Sequence, residues 1–425
     1  MNILETSQVT QSPEAVLPRL ALSTVQRLAH GFPVLAVTGP RQSGKTTLAR
    51  QVFPNKLYWT LEDVDTRRIA QADPRAFLGQ FTHGAVLDEI QRAPELLSYL
   101  QGAVDHRGIM GDFIITGSQQ FGLLESISQS LAGRVGLVEL LPLSLAEMTT
   151  APNLPNFLLN DLMFRGGYPA LYDQRRRSLS SRGIEPADWH RAYLSTYIER
   201  DVRQVLGVRD LASFERFILM CAARSGQLLN IQALGADCGI STSAARQWLS
   251  VLEASYVIRL LQPWHENFGK RLVKMPKLYF LDSGLLCHLL RVESPLALAT
   301  HALRGAIFET WVLAETLKHR FNQGLSADIY FWRDNHGTEV DLLYADQGLL
   351  HPVEIKSGTT FTTDWLSGCE RFRRHAGARS APGLVVYGGD SSFEVLGNRV
   401  MSWRGFGKRN MTVPAEPKIA HNAGV

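Results

Sequence analysis

The residues at 39–46 read Gly-Pro-Arg-Gln-Ser-Gly-Lys-Thr and fit the phosphate-binding pattern GxxxxGK[ST]. An apolar run at 34–38 precedes them and a helix-forming run follows, so loop N–H groups and the positive end of the helix would surround an anion. Lys45 would reach the β- and γ-phosphates, and the Thr46 hydroxyl would ligate Mg²⁺. The sequence therefore predicts an ATP site formed by Gly39, Pro40, Arg41, Gln42, Ser43, Gly44, Lys45, Thr46 and Thr47.

Two acids end a second apolar run, Ala-Val-Leu-Asp-Glu-Ile at 85–90. Asp88 is placed to hold the water shell of Mg²⁺, and Glu89 to orient and polarise the attacking water. A strand ending in Asp-Glu is common, so this motif is informative only because a phosphate loop precedes it. Together the two motifs predict hydrolysis of ATP to ADP and phosphate, with Lys45 and Glu89 as catalytic residues.

Ser118 is a further candidate because it ends the apolar run that begins at residue 112. In parallel α/β nucleotide hydrolases the end of the next strand lies beside the phosphates, so Ser118 would contact the γ-phosphate or the water. Thr116 is the other hydroxyl at this strand end. The alternative is a hydroxyl that caps the following helix.

A set of acids near the C-terminus suggests metal-dependent chemistry. Asp341 lies on a predicted strand at 339–344, and Glu354 and Lys356 lie on the next, at 349–356. Residues i and i+2 of a strand face one side, so Glu354 and Lys356 point together, and Glu309 on a preceding helix completes the cluster. The acids would hold Mg²⁺ or Mn²⁺, with Asp341 and Glu354 as ligands, and Lys356 would position or deprotonate the nucleophile. The alternative is a structural ion-pair network.

The first motifs need a parallel α/β sheet to position them. Short apolar runs alternate with helical stretches from residue 31 to 150, which is typical of such a sheet. A helix is predicted at 16–30 and an exposed Arg-, Ser- and Gly-rich loop at 174–188. Strands are predicted near 34–38, 56–60, 85–89, 112–116 and 135–140.

A winged helix-turn-helix is predicted in the middle of the chain. Asn230 would cap a first helix, Gly239-Ile-Ser would turn, and a second helix would begin at Thr242, followed by two strands around a basic loop. The alternative is a module for packing or oligomerisation. The side chains expected to meet DNA are Ser243, Arg246, Gln247 and Ser250 on the second helix, and Lys270, Arg271, Lys274 and Lys277 in the wing.

Composition sets limits on these expectations. The chain has 425 residues, enough for about three domains, and 45% hydrophobic and 20% charged residues, as in ordinary globular proteins. A net charge of +4 permits nucleic-acid binding without requiring it. Four scattered cysteines, no signal peptide and no apolar run of about 18 residues predict a cytoplasmic protein with reduced thiols.

An ordered series of motifs resembles a family of prokaryotic AAA-type ATPases. It comprises the phosphate loop, Leu-Asp-Glu-Ile-Gln, Ile-Thr-Gly-Ser, Ser-Leu-Ala-Gly-Arg, Leu-Pro-Leu-Ser and Gly-Gly-Tyr-Pro, within about residues 15–390. Members carry a C-terminal domain of unknown function that resembles PD-(D/E)xK, or restriction-endonuclease-like, nucleases. In AAA+ proteins an arginine at the position of Arg134 reaches into the neighbouring subunit's site, so the resemblance implies a homo-oligomer that forms a ring such as a hexamer. The alternative is that Arg134 is a routine surface residue.

The fold class implied is α/β in five parts. These are an AAA+ P-loop ATPase core (1–150), a helical lid or linker (151–205), the winged helix-turn-helix (206–282), a PD-(D/E)xK nuclease-like domain (283–390) and a partly disordered tail (391–425).

Two functions remain open. The favoured one is an ATP-hydrolysing protein that binds and processes DNA, including branched or damaged DNA, with a nuclease-like domain that acts as a Mg²⁺-dependent endonuclease. The alternative is an ATP-gated switch or scaffold that binds a protein partner of a toxin–antitoxin or defence system and has an inactive nuclease fold. Salt dependence separates them, because phosphate contacts make DNA affinity fall steeply with salt.

Overall fold

Five parallel strands form the first sheet in the computed structural model, which describes residues 17–118, 127, 129–151, 154–173, 184–198, 211–264 and 275–407. The strand order is β2-β3-β4-β1-β5, so the first strand lies between the fourth and the fifth. The predicted strands are confirmed to within two residues. Their bounds are β1 Val34–Thr38, β2 Leu57–Thr60, β3 Ala85–Asp88, β4 Phe113–Gly117 and β5 Val135–Glu139.

Helices cover both faces of this sheet, which is why its central strands read as unbroken apolar runs. Leu35 and Ile114 face α1 and α2, whereas Val34 and Phe113 face α3, α4 and α5. The predicted helix at 16–30 begins later, at Leu22, because Pro18 disfavours a helical conformation before it. The helix bounds are α1 Leu22–Gly31, α2 Lys45–Val52, α3 Val64–Ala72, α4 Pro74–Gly79 and α5 Leu96–Arg107.

The middle of the chain is helical and ends in a two-stranded antiparallel hairpin. Asn230 caps its helix as expected, by accepting a hydrogen bond from Ala233 N at 3.0 Å. Ser241, which was predicted to lie in the turn, caps the second helix by accepting a hydrogen bond from Ala244 N at 3.2 Å. The elements are α6 Leu145–Thr150, α7 Leu159–Arg165, α8 Pro186–Tyr193, α9 Leu211–Ala223, α10 Ile231–Cys238, α11 Thr242–Ala254, β6 Ile258–Leu261 and β7 Lys277–Phe280.

The loop predicted at 174–188 is wrong at its end, since α8 begins at Pro186; residues 174–183 lie outside the described part. Pro186 suits the first turn of a helix, and Trp189 and Tyr193 are buried behind it. The Arg-rich composition before residue 184 is typical of a loop, so the short apolar face of this helix was not recognised.

The C-terminal domain contains a six-stranded mixed sheet of order β12-β13-β11-β10-β9-β8. Strands β8, β9 and β10 are antiparallel, and β10, β11 and β13 are parallel. The bounds are α12 Ser283–Leu289, α13 Pro295–Ala299, α14 Arg304–Asn322, β8 Ile329–Arg333, β9 Glu339–Asp346, β10 Leu349–Lys356, α15 Ser367–Ala376, β11 Leu384–Tyr387, β12 Phe393–Val395 and β13 Asn398–Ser402.

The predicted tail from residue 391 is wrong as far as residue 407. Strands β12 and β13 extend the sheet, and a 3₁₀ turn at Trp403–Gly407 buries Trp403 and Phe406. These strands have only three and five residues, too few to show a hydrophobic period. Among the described residues no helix is long and apolar enough to cross a membrane.

Candidate functional site

The phosphate loop joins the carboxyl end of β1 to the amino end of α2. Gly39 has φ +143°, and a Cβ there would lie 2.2 Å from the carbonyl oxygen of Leu140, so only glycine fits. Gly44 caps α2 with φ +95°, a left-handed conformation. The loop is therefore held against the segment that leaves β5.

Lys45 points into the loop and is 5% exposed. Its Nζ donates hydrogen bonds to the carbonyl oxygens of Gly39 and Pro40, at 3.0 and 2.7 Å. Burial lowers the pKa of Lys45 to about 8; the charges of Glu89 and Asp88 act against this shift and that of Arg41 adds to it. A phosphate group fits here, because it would stabilise the buried ammonium and give the buried Ser43 hydroxyl, which has no partner among the described residues, a hydrogen-bond acceptor.

Asp88 accepts hydrogen bonds from three hydroxyl groups. Thr46 Oγ1 lies 2.8 Å from Oδ1, Thr116 donates to the same oxygen, and Tyr58 donates to Oδ2 at 2.8 Å. The carboxylate and the Thr46 hydroxyl are hard oxygen donors of the kind that Mg²⁺ prefers. Tyr58 was not predicted; its contact spans 30 residues of sequence, and only the pairing of β2 with β3 brings the two together.

Glu89 follows β3 with φ +57°, which is uncommon for a residue other than glycine. Ser118 Oγ donates to Glu89 Oε2 at 3.1 Å, and Gln91 donates to Glu89 and, at 3.1 Å, to Ser118. Ser118 therefore contacts the predicted catalytic acid. Gln91, a residue the sequence did not single out, restrains the same carboxylate.

Arg134 stands at the amino end of β5. The phosphate loop follows the carboxyl end of β1, so the two lie at opposite ends of these parallel strands. Its guanidinium forms a two-pronged ion pair with Asp105, with Nη2 2.9 Å from Oδ2. The side chain is one-third exposed, so this pair faces solvent. Arg134 does not contact the phosphate loop of its own chain, and its predicted contact with a neighbouring subunit stays a prediction.

Helix α11 presents the predicted DNA-contacting side chains to solvent. Ser243, Arg246 and Gln247 are exposed and Ser250 is half-buried, while Trp248 packs inward. Lys270, Arg271 and Lys274 lie outside the described residues. Lys277 was expected to meet phosphate in the wing, and that is wrong: it is 4% exposed and points into the C-terminal domain.

The structure brings the four predicted residues of the C-terminal domain together. The Ile355 N–H donates to Asp341 Oδ2 at 2.8 Å, Lys356 Nζ lies 3.8 Å from the same oxygen, and Lys356 also contacts Glu354. Burial and the charge of Asp341 raise the pKa of Glu354 to about 8 and that of Glu309 to about 7. We call Glu309, Glu339, Asp341 and Glu354 the acidic cluster.

The acidic cluster does not fit the predicted metal site of three carboxylates. No three His, Cys, Asp or Glu side chains of the described residues could hold a metal ion. Lys277 explains this, because its Nζ lies 3.3 Å from Glu309 Oε1 and also contacts Glu339, while Tyr279 donates to Glu309. Glu354 Oε2 is buried and has no hydrogen-bond partner among the described residues.

Comparisons with known proteins divide the chain into three matched regions. An AAA domain matches residues 31–149, and two domains of unknown function, DUF8612 and DUF4143, match residues 156–296 and 304–406. The AAA match confirms an AAA-type ATPase domain, and the C-terminal match leaves the nuclease resemblance a prediction.

Two mycobacterial proteins resemble most of the chain. The uncharacterized protein Rv2008c of Mycobacterium tuberculosis is 35% identical over 346 residues, which are 80% of this chain and 74% of that protein. The uncharacterized protein Mb2031c of Mycobacterium bovis matches equally. Among solved structures, the Walker-type ATPase PABY2304 of Pyrococcus abyssi has 13% identity and a TM-score of 0.44, covering 65% of this chain and 96% of that one.

Proposed function

Because this chain belongs to the family of Rv2008c and contains an AAA domain, we propose that it hydrolyses ATP and uses the energy to bind and process DNA. One observation carries the first part. The predicted phosphate loop, Asp88 and Glu89 meet at the carboxyl ends of β1 and β3, where Thr46 lies 2.8 Å from Asp88. This is the arrangement that transfer of a phosphoryl group to water requires.

Each residue around the phosphate loop has a separate role in the proposed reaction. Lys45 would stabilise the phosphate charge, and Thr46 and Asp88 would hold Mg²⁺, which would neutralise charge on the transferring phosphoryl group. Glu89 orients the attacking water, while Ser118 and Gln91 keep its carboxylate in place. Tyr58 and Thr116 orient Asp88.

The DNA part of the proposal rests on charge and exposure. Arg246 and Gln247 lie exposed on α11, the second helix after the Asn230 cap, as a helix that enters a groove of DNA would present them. The proposal assigns processing to the C-terminal domain, where Asp341, Glu354 and Lys356 lie together, although the described residues there form no metal site of three carboxylates. The proposal includes a cytoplasmic location and an oligomeric ring in which Arg134 completes a neighbour's site.

The alternative, an ATP-gated scaffold for a protein partner, is favoured by a different observation. Lys277 already neutralises part of the acidic cluster, as expected for a nuclease fold that no longer cuts. The two proposals make opposite predictions for DNA binding.

Incubation of the protein with linear, single-stranded and branched DNA tests the proposal. Each DNA would be combined with Mg²⁺ or Mn²⁺, with and without ATP, and phosphate release would be measured in the same samples. Asp341→Ala serves as the control for cleavage and Lys45→Ala as the control for ATP turnover. ATP turnover that DNA stimulates supports the proposal. ATP turnover that no DNA changes, together with no DNA binding at low salt, favours the scaffold.

A further inference from the structure

We propose that the β6–β7 hairpin couples the phosphate loop to the acidic cluster, with Tyr256 and Lys277 as its two contacts. The inference rests on the proposed function only in requiring that the phosphate loop binds a nucleotide. It assigns a role to a segment whose predicted role was to contact DNA.

At one end, Tyr256 reaches the base of the phosphate loop. Its hydroxyl donates to Thr38 Oγ1 at 3.1 Å, and Thr38 is the last residue of β1, next to Gly39. Burial, and then the charge of Glu139, the last residue of β5, raise the pKa of the Tyr256 hydroxyl. The side chain is 4% exposed, and the backbone has φ +57°, an uncommon conformation that persists only where its surroundings enforce it.

A nucleotide would add a hydrogen bond to the loop beside Thr38. Lys45 now donates to the carbonyl oxygens of Gly39 and Pro40, which are the next two residues of the chain. An ammonium group has three hydrogens, so Lys45 would give its third to a β- or γ-phosphate while it keeps both carbonyls, and the loop would make a hydrogen bond that it lacks without nucleotide. A ligand shifts a conformational equilibrium only through such a difference.

The hairpin links the two ends rigidly. Ile258 pairs with Phe280 and Leu261 with Lys277, so the strands run about 10 Å from the Tyr256 end to the Lys277 end. The Leu281 N–H donates to the Val257 carbonyl at 3.0 Å, which extends the ladder toward Tyr256. Every residue of β7 is buried, so side-chain packing as well as the strand ladder constrains the hairpin.

At the other end, Lys277 is a buried cation within the acidic cluster. Its Nζ lies 3.3 Å from Glu309 Oε1, contacts Glu339, and stands 5.6 Å from the centre of the Phe331 ring. Lys277 thus comes from the hairpin, whereas its partners come from α14 and β9. Movement of the hairpin would change the charge balance of the acidic cluster.

A double-mutant cycle on nucleotide affinity tests the coupling. Binding of a fluorescent ATP analogue would be measured for the wild type, Tyr256→Phe, Lys277→Met and the double variant. We expect each single change to alter Kd, and the double variant to differ from the product of the single effects by about fivefold or more, a usual size for coupled sites. Multiplicative effects would overturn the coupling, since the two contacts would then act independently.

Controls separate the possible failures. Tyr330→Phe, a tyrosine of the C-terminal domain that packs on Trp264, and Lys277→Arg, which keeps the charge, should bind as the wild type does. If Lys277→Met does not fold, Glu309→Gln replaces it, because it removes the charge opposite Lys277 and keeps a hydrogen-bonding group. A wild type that binds the analogue no better than Lys45→Ala would overturn the proposed ATP site itself, whereas normal binding with an additive cycle overturns only the coupling.

Discussion

At the scale of residues, the phosphate site depends on hydroxyl groups as much as on charges. Asp88 is held by Thr46, Thr116 and Tyr58, which come from three different elements. The motif residues could be predicted from sequence, because each must stand at a fixed distance from the loop. Tyr58 could not, since a tyrosine on a half-buried strand is equally suited to packing.

Tyr58→Phe should weaken Mg²⁺ use. The change removes only the hydroxyl that donates to Asp88, so the carboxylate loses one constraint on its orientation. Loss of such an outer partner typically costs 10- to 100-fold in metal affinity, so we expect the half-saturating Mg²⁺ concentration for ATP turnover to rise about tenfold. Tyr99→Phe is the matched control on α5. An unchanged Mg²⁺ titration with a lower melting temperature would make Tyr58 a packing residue only.

ATP affinity should fall as pH rises through about 8. The pKa of Lys45 is lowered to about 8 in the protein, so above this pH the side chain is largely neutral and must take up a proton to meet phosphate. The usual pKa of a lysine side chain is 10.5, so the buried charge opposes folding below pH 8, and stability rises with pH between 8 and 10.5. Titration of analogue binding from pH 6.5 to 9.5 measures the first effect. Lys45→Arg, which stays charged, should remove the pH dependence; an equal dependence in that variant would contradict the assignment.

At the scale of elements, the sequence was informative where a strand ends in reactive residues. All five core strands and the strands that carry Asp341 and Glu354 were predicted, because apolar runs and turn residues mark their ends. Helix α8 was not predicted, because the Arg-rich sequence before it is typical of a loop. Strands β12 and β13 were not predicted, because they are too short to show a hydrophobic period. Lys277 was assigned to a solvent-exposed wing, since only the packing of β7 against α14 reveals its burial.

Helix α11 should contact DNA phosphates through Arg246. Arg246→Ala should lower affinity for all DNA sequences and reduce the slope of log K against log salt by about one, as expected for one lost phosphate contact. Fluorescence anisotropy at several salt concentrations measures both. Arg68→Ala, an exposed arginine on α3, is the matched control. An unchanged slope would remove α11 from the DNA interface.

At the scale of the whole molecule, the ATPase core and the C-terminal domain share buried polar contacts. Glu315 on α14 accepts the Leu145 N–H at 2.7 Å, and Lys318 donates to the Leu143 carbonyl at 3.0 Å. Arg19 then links Glu147 to the phosphate loop, at 3.1 Å from Glu147 and 2.6 Å from the Ser43 carbonyl. Because a buried polar group is costly without its partner, we expect the core to depend on α14 for its stability.

Arg134→Ala should stop ATP turnover but leave ATP binding intact, if Arg134 serves a neighbouring subunit. Mixing this variant with Lys45→Ala should restore part of the activity, because one chain supplies the arginine and the other the phosphate loop. Asp105→Ala separates this role from a structural one, since it breaks the same ion pair and leaves Arg134 in place. Equal loss in both variants, without rescue on mixing, would mean that the Arg134–Asp105 pair is structural.

ATP turnover by Glu89→Gln tests the central claim most directly. Glu89 stands beside Ser118 and Gln91 at the end of β3, and its carboxylate is proposed to orient the attacking water. We predict that the wild type hydrolyses ATP, and that Glu89→Gln binds the nucleotide normally while its turnover falls by about 100-fold or more. Glu95→Gln, an exposed neighbour, should behave as the wild type does. Normal turnover by Glu89→Gln, or no turnover by the wild type, would contradict the account.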